Sequence, residues 1–372
     1  MIDINLIREN PELVKENIKK KFQDKKLPLI KEILKIDEQW RKCKAQGDNL
    51  RAQRNKLSIE IAELKKKGKD ASKVLEKAQK IPKQLEQLEK KANELENERI
   101  EVLKSIPNII SKETPIGKDE NENVAIKTIG KPKNIQNPKT HLELAESLKL
   151  VDFDASAKVA GSGFYYIKND LALLNQALIR FAVNHLISKG YEYIEPPLML
   201  NEKSIYASMD KKAIEDSVYD IKGEDLHLIG TSEQAVLAMH SGNIFLESQL
   251  PKKYAAYSMC FRKEVGAHGI NQKGLWRTHQ FNKVEQFIFC MPEDSKKYYE
   301  ELLKNSEEIM QALNLPYRVL EICSGDLADW KYRSADIEVW RPTTKSYGEV
   351  ISLSNCTDYQ ARKLGIKVDT KK

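Results

Sequence analysis

The sequence is poor in the features that support zinc-binding, disulfide-bonded or membrane-spanning folds. Its 372 residues include five scattered cysteines and no Cys-x-x-Cys pair. This spacing argues against a zinc ribbon or a disulfide framework, so no zinc site is expected. No apolar run approaches the length of a membrane span, and the N-terminal segment lacks the apolar core of a signal peptide. We therefore expect a soluble cytoplasmic protein with no membrane partner.

Three common catalytic signatures are also missing. The chain contains no Gly-x-Gly-x-x-Gly segment, no Walker-type Gly-Lys-Ser/Thr loop and no paired histidine spacing for a metal. The formal net charge of +7 is compatible with an RNA partner but does not establish one. A chain of 372 residues is expected to form two or three domains.

Two heptad-like series occupy the N-terminal third, and a polar turn at residues 65–70 separates them. Two long helices with matched apolar seams and one short connection predict an antiparallel coiled-coil hairpin. We expect Gly47, Arg54 and Arg99 to weaken the seam locally and Pro82 to kink the second helix. The first series is Ile33, Ile36, Trp40, Cys43, Gly47, Leu50, Arg54, Leu57, Ile61 and Leu64, and the second is Val74, Ala78, Ile81, Leu85, Leu88, Ala92, Leu95, Arg99 and Val102.

The hairpin alone does not define a function, because a dimerisation or scaffolding coil would have the same pattern. The segment 107–150 that follows contains most of the helix and strand breakers, and we predict it to be a linker.

Polar side chains then recur at strand spacing between Met259 and Phe289. Alternation places Arg262 and Glu264 on one face of a first strand, and glycines at 266, 269 and 274 mark a loop. The second strand presents Arg277, His279, Phe281, Lys283 and Glu285 on one face.

This set of side chains suits a nucleotide together with an amino acid. A guanidinium grips phosphate with a planar fork of donors, a phenyl ring offers a stacking surface, and a carboxylate can hold an ammonium group. The alternative for any single pair, such as Arg262 and Glu264, is a solvated surface ion pair, which stabilises a protein little.

The wider pattern resembles motif 2 of the class II aminoacyl-tRNA synthetases in its seryl-tRNA synthetase form. Two further segments resemble the same family: Thr231-Ser232-Glu233 is similar to its serine-binding Thr-x-Glu, and Gly348 to Arg362 is similar to its acidic metal and ATP strand. The motif 2 matches are Phe261, Arg262, Glu264, His279, Gln280, Phe281, Lys283, Val284, Glu285 and Gln286.

The resemblance implies an α+β protein in which a coiled-coil arm (residues 1–106) binds tRNA and a class II antiparallel β-sheet domain with flanking helices (151–372) activates serine with ATP. It implies Arg262 and Glu349 as catalytic residues, and Mg²⁺ held with ATP by Glu349 and Ser352. The implied ATP-binding residues are Arg262, Lys263, Glu264, Thr278, Phe281, Glu349, Val350, Ile351 and Ser352. The implied serine-binding residues are Thr231, Ser232, Glu233, Arg262 and Glu285. The implied tRNA contacts are Arg41, Lys42, Lys44, Arg51, Arg54 and Lys56.

One pair fits an ideal strand poorly. Glu349 and Ser352 are three residues apart, so regular alternation would point them to opposite faces. Either a β-bulge intervenes or one residue contacts its ligand through the backbone.

The apolar helix from about Leu171 to Lys189, with the strand reaching Pro197, resembles motif 1, which implies a homodimer. Its alternative is a core helix packed on a sheet. The sequence contains no match to motif 3, and we expect a truncated form of a longer enzyme. The implied partners are L-serine, ATP and tRNA(Ser), with tRNA(Sec) as a second tRNA candidate. The alternative function is a non-catalytic synthetase-like RNA-binding or regulatory protein.

Overall fold

The structure, a computed structural model, describes residues 1–208, 211–265 and 274–370. Gly266 and Gly269 of the predicted loop lie outside the described residues. The chain divides into two units, of which one spans Ile2–Pro107 and the other includes Asn108–Lys372. The helices are α1 (Ile4–Glu9), α2 (Pro11–Lys20), α3 (Pro28–Lys66), α4 (Ser72–Ser105), α5 (His141–Ser147), α6 (Phe153–Ala160), α7 (Asn169–Ser188), α8 (Glu202–Ser208), α9 (Lys211–Ser217), α10 (Ser232–Met239), α11 (Ser295–Ala312) and α12 (Tyr359–Leu364). The strands are β1 (Val124–Ile129), β2 (Val151–Asp152), β3 (Tyr166–Ile167), β4 (Glu192–Ile194), β5 (Met199–Leu200), β6 (His227–Leu228), β7 (Ile244–Leu246), β8 (Lys252–Phe261), β9 (Gln280–Phe289), β10 (Tyr317–Glu321), β11 (Arg333–Arg341), β12 (Ser346–Asn355) and β13 (Lys367–Asp369).

The first unit contains the predicted helical hairpin. Helices α3 and α4 pack along their lengths, and the seam buries residues of both heptad series, which confirms the coiled-coil prediction. Helix α4 continues through Pro82 without a break. The buried side chains of this seam are Ile36, Cys43, Ala92 and Leu95, with Trp40, Leu88 and Val102 packed against them.

A buried carboxylate joins three helices at the base of the hairpin. The side chain of Asp37 has no exposed surface and accepts hydrogen bonds from Arg8 at 2.6 and 2.7 Å, Arg41 at 3.0 Å and Arg99 at 3.1 Å. Burial would raise the pKa of Asp37, but the bonds from Arg8 and Arg99 outweigh it and lower the pKa. The guanidinium of Arg99 also lies 4.1 Å from the ring centroid of Trp40. Arg99 therefore anchors the seam at a position where we expected it to weaken the seam.

We predict that Asp37→Asn lowers the free energy of unfolding of the arm by about 2–4 kcal/mol, because partly buried guanidinium groups then lose their counterion. The measurement is urea unfolding of the whole chain followed by circular dichroism. Glu89→Gln is the matched control, since it removes the exposed ion pair between Arg51 and Glu89 on the same arm. Equal unfolding midpoints for the two variants would contradict the anchoring role of Asp37.

The second unit is built on two main sheets. Strands β1, β10, β11 and β12 form an antiparallel sheet in that order, and strands β4, β8 and β9 form a second sheet in which β4 runs parallel to β8. Helix α11 packs on the first sheet around the buried side chains of Tyr299, Met310, Tyr317 and Ile337. The α+β prediction is confirmed.

The hairpin of β8 and β9 differs from the predicted one at its open end. Strand β8 ends at Phe261, so Arg262 and Glu264 do not share a strand face. Glu264 has a φ of 50°, a left-handed conformation that a strand cannot contain. Strand β9 begins only at Gln280, and its register places Phe281 opposite Cys260 and Glu285 opposite Ala256.

The segment expected to be a linker also differs from that expectation. Strand β1, from this segment, is the edge strand of the four-stranded sheet, and helix α5 begins with a capping box at Thr140 and Glu143. Asn108 is buried and donates to the carbonyl oxygens of Trp330 and Cys356. The prolines and glycines of this segment therefore separate short packed elements and do not indicate an unpacked chain.

Helix α7 and strand β4 follow the predicted motif 1 pattern, with Gly190 at a φ of 85° between them. A search of the described residues finds no helix that is both long and apolar enough to cross a membrane.

Candidate active site

The carboxylate of Glu285 on β9 meets the N-terminus of α10. One oxygen of Glu285 accepts from the Thr231 hydroxyl at 2.7 Å, the Ser232 hydroxyl at 2.5 Å and the Glu233 backbone N–H at 3.1 Å. A helix N-terminus leaves such donors unsatisfied, so a carboxylate is stable there. This carboxylate therefore brings together Thr231, Ser232 and Glu233, three further residues that are predicted to bind serine.

Two further side chains complete this cluster. The ammonium group of Lys283 donates to the Thr231 hydroxyl at 2.9 Å and to Glu285 at 3.2 Å. Gln360 on α12 donates to the Glu233 carboxylate at 2.6 Å. The sequence assigned no role to Gln360, although it lies in a segment that resembles the family. Only the fold brings α12 to α10.

The pKa values of the two carboxylates in the cluster are shifted in opposite directions. Burial and the neighbouring charge of Glu285 raise the pKa of Glu233. Burial acts in the same direction on Glu285, but Lys283 and the hydroxyls of Ser232 and Thr231 outweigh it and lower the pKa of Glu285. The surroundings therefore favour the ionised form of Glu285 and disfavour that of Glu233.

Arg262 lies next to this cluster. Its Nε donates to the carbonyl oxygen of Gly230 at 3.1 Å, and its guanidinium carbon is 5.2 Å from the ring centroid of Phe281. The backbone N–H of Arg262 donates to the His279 carbonyl at 3.0 Å, which continues the hairpin ladder for one bond beyond β8. The guanidinium and the aromatic ring predicted for ATP thus face each other.

The other residues of this segment that are predicted to bind ATP contact different partners. Glu264 pairs with Arg277 at 2.6 Å, and the buried Thr278 donates to the Gln280 carbonyl at 2.8 Å. Lys263 instead extends toward Asp220, at 3.3 Å from its carboxylate. Its side chain is therefore directed to a different partner from that of Arg262.

The strand β12 contains the bulge that one of the two sequence alternatives required. Glu349 pairs with Glu338 and Ile351 pairs with Ile337, so Val350 is an extra residue on this strand. One inserted residue resets the alternation. Glu349 and Ser352 are both exposed, whereas Ile351 packs against the core of the four-stranded sheet. The side chain of Ile351 is thus directed toward the core, and Val350 is exposed at the bulge.

Asp336 is a member of this site that the sequence did not reveal. It pairs with Ser352 across β11 and β12. Burial and the negative charge of Glu349 raise the pKa of Asp336 to about 6. A hydrogen bond from Ser352 acts in the opposite direction but is outweighed. The sequence around Asp336 does not indicate a role in this site, because the residues that surround its side chain lie on another strand.

Some of the α3 residues predicted to contact tRNA are ion-paired with acidic side chains, and others are not. Arg41 is bound to Asp37, Lys42 to Glu38, and Arg51 to Asp48 and Glu89. Lys44 lies 5.7 Å from the ring centroid of Trp40. Arg54 and Lys56 are exposed, and within the described part of the chain we find no ion pair for either.

Comparison with known proteins identifies the family. A model of the "tRNA synthetase class II core domain (G, H, P, S and T)" matches residues 216–372, and one of the "Seryl-tRNA synthetase N-terminal domain" matches residues 1–110. The serine–tRNA ligase of Methanocella arvoryzae is 44% identical over 371 residues, which cover 99% of this chain and 87% of that protein. This chain belongs to the seryl-tRNA synthetase family.

Solved structures of seryl-tRNA synthetases agree with this. That of the Pyrococcus horikoshii enzyme complexed with ATP has a TM-score of 0.92 at 40% identity, covering 100% of this chain and 88% of the other. That of the cytoplasmic serine–tRNA ligase of Naegleria fowleri in complex with AMP has a TM-score of 0.87 at 30% identity, covering 99% and 88%. The function that follows is that of a class II serine–tRNA ligase, and the non-catalytic alternative is not favoured.

The raised pKa of Glu233 leads to a prediction about how the stability of the protein depends on pH. A pKa raised in the folded state stabilises the protein at low pH, and this contribution is lost as the pH rises through the folded pKa. Above an ordinary glutamate pKa of about 4.3, Glu233→Gln should therefore unfold at a higher temperature than the unchanged chain. The difference should shrink as the pH falls toward 4.

Thermal unfolding between pH 4 and pH 8 measures this difference, with the exposed Glu202→Gln as the matched control. A Glu233→Gln variant that is less stable than the unchanged chain at pH 7 would contradict the raised pKa of Glu233.

Proposed function

We propose that the cluster around Glu285 and Arg262 forms seryl-adenylate in this chain. The observation that carries the proposal is the anionic Glu285 at the N-terminus of α10, beside a guanidinium that faces an aromatic ring. An ionised carboxylate suits the ammonium group of serine, and Arg262 suits the α-phosphate of ATP. Relatives whose structures contain ATP and AMP support a nucleotide at this site.

The reaction joins two anions. An oxygen of the serine carboxylate attacks the α-phosphorus of ATP, the bond from that phosphorus to the bridging oxygen breaks, and pyrophosphate leaves with the electron pair. Arg262 offsets the negative charge that accumulates at the phosphorus, while Phe281 stacks on the adenine ring and Glu264 contacts the base. Because no side chain needs to act as a nucleophile, positioning and charge stabilisation account for the catalysis.

The residues on β12 fit Mg²⁺. This ion prefers oxygen ligands and is usually held by one or two carboxylates together with substrate phosphates. Glu349 and Ser352 would hold it, with Asp336 beside Ser352. Magnesium would neutralise phosphate charge when it is bound with ATP. Among the described residues, no group of three or more His, Cys, Asp or Glu side chains is placed to hold a metal without such a substrate.

We assign tRNA(Ser) binding to the helical arm within residues 1–106 and serine activation to residues 151–372. A cationic side chain can contact a phosphate most easily when no acidic side chain competes for it. Arg54 and Lys56 are exposed on α3. Arg41 and Arg51 would have to share their guanidinium groups with acidic partners. Arg54 and Lys56 are thus the strongest of the predicted contacts.

A homodimer is the proposed assembly. Helix α7 exposes Leu173 by 69%, Leu174 by 53% and Leu178 by 41%, and Ile187 by 45% near its end. A helix that carries so much exposed leucine is more stable when a partner covers it. The cytoplasm is the proposed compartment, because it supplies tRNA and keeps the five free cysteines reduced.

Arg262→Ala should lower serine-dependent ATP–pyrophosphate exchange by roughly 10²- to 10³-fold, because it removes the group that offsets the charge at the α-phosphate. Arg318→Ala is the control, since it removes another partly exposed arginine from the four-stranded sheet. Exchange near the unchanged rate in the Arg262 variant would refute the assignment of this site.

The double variant Arg54→Ala, Lys56→Ala should weaken tRNA binding and leave pyrophosphate exchange unchanged. The slope of log affinity against log salt should fall by about one for each lost phosphate contact. Filter binding of tRNA(Ser) over a salt series measures the slope. Lys80→Ala, Lys104→Ala is the matched control on α4, where both lysines are ion-paired. An unaltered slope would exclude Arg54 and Lys56 from the RNA interface.

A further inference from the structure

Trp276 lies against a position where the strand β12 has no side chain. A Cβ atom at Gly348 would lie 2.5 Å from Cζ2 and 3.0 Å from Cη2 of Trp276. The guanidinium of Arg341 lies 4.7 Å from the ring centroid on the same hairpin. Trp276 is nevertheless 48% exposed. Trp276 is therefore not a core residue, and the contacts with Gly348 and Arg341 are made at the surface.

The residues on either side of Trp276 are held by other elements. The Leu275 backbone N–H donates to Nε2 of His141 at 3.1 Å, and the Leu275 side chain packs in the apolar cluster of Ala145 and Phe153. Arg277 is bound to Glu264 at 2.6 Å. The chain that leads into β9 is therefore attached at three successive residues, and Trp276 makes the attachment to β12.

This attachment joins two sheets that each carry part of the proposed ATP site. Phe281 and Arg262 lie on or beside the hairpin of β8 and β9, in the three-stranded sheet. Glu349 lies on β12 in the four-stranded sheet and directly follows Gly348. A nucleoside triphosphate with its divalent cation has to reach both sheets at once.

We propose that Trp276 is a positioning residue for ATP, whose packing on Gly348 and Arg341 sets the separation between Phe281 and Glu349. This inference rests on the proposed function of the site. Serine is held by a different set of contacts, between α10 and β9, to which Trp276 does not belong. Loss of the indole should therefore affect ATP and spare serine.

Trp276→Ala should raise the dissociation constant of Mg-ATP, measured by equilibrium dialysis, by roughly 10- to 100-fold, because small misplacements of a reacting group are costly. The KM for ATP in pyrophosphate exchange should rise in parallel, with the KM for serine and the unfolding temperature close to those of the unchanged chain. Trp276→Phe should recover most of the ATP affinity, since a phenyl ring can still stack on Arg341.

Gly348→Ala tests the same contact from its other side. The added methyl group displaces the indole, so this variant should also weaken ATP binding. In a chain that already carries Trp276→Ala the methyl group meets no indole, although it still lies 2.8 Å from Nε of Arg341, so the second substitution should add less than it does alone. Additive effects of Trp276→Ala and Gly348→Ala would overturn the inference.

Trp340→Phe is the matched control, because Trp340 lies on the same hairpin of β11 and β12. Its ring centroid is 5.2 Å from that of Tyr347 on this hairpin. An equal rise in the KM values for ATP and serine in Trp276→Ala, or unchanged ATP affinity, would overturn the inference. ATP binding without serine-dependent exchange by the unchanged chain would contradict only the proposed function. An unchanged chain that binds no ATP would overturn both.

Discussion

The carboxylate of Glu285 is the constraint on which the rest of the site depends. A buried carboxylate is stable only where donors or cations surround it, and Glu285 finds them at the N-terminus of α10 and in Lys283. This requirement fixes the end of a helix against the middle of a strand. It also places a second carboxylate, Glu233, in the same buried space. The pair cannot both ionise at low cost, and the surroundings raise the pKa of Glu233 while they lower that of Glu285.

Around this fixed point, the nucleotide half of the site is assembled from irregular backbone. Beyond the end of β8, Glu264 has a left-handed conformation and pairs with Arg277. The extra residue at Val350 brings Glu349 and Ser352 into compatible positions on β12. A regular β12 would have pointed Glu349 and Ser352 to opposite faces of the sheet. The irregular geometry of β12 therefore serves the site, which agrees with the enrichment of bulges next to active sites.

The arm depends on a similar principle of charge compensation. Asp37 is fully buried and is surrounded by guanidinium groups from α1, α3 and α4. One of these groups, on Arg99, also stacks on Trp40. The arginine that interrupts the heptad seam is thus a member of an ion-pair network at the base of the hairpin, and the apolar seam continues above it.

The sequence by itself determined the coiled-coil hairpin and the family, because heptad spacing and the Phe281, Lys283, Glu285 alternation are local patterns that survive folding. It also predicted a bulge near Glu349 as one of two alternatives, since a period of two cannot place residues three apart on one face. Only the tertiary structure brought Asp336 to Ser352, Gln360 to Glu233 and Trp276 to Gly348. Those pairs join segments that are distant in the chain, so no local period encodes them, and packing between separate sheets and helices decides which residues meet.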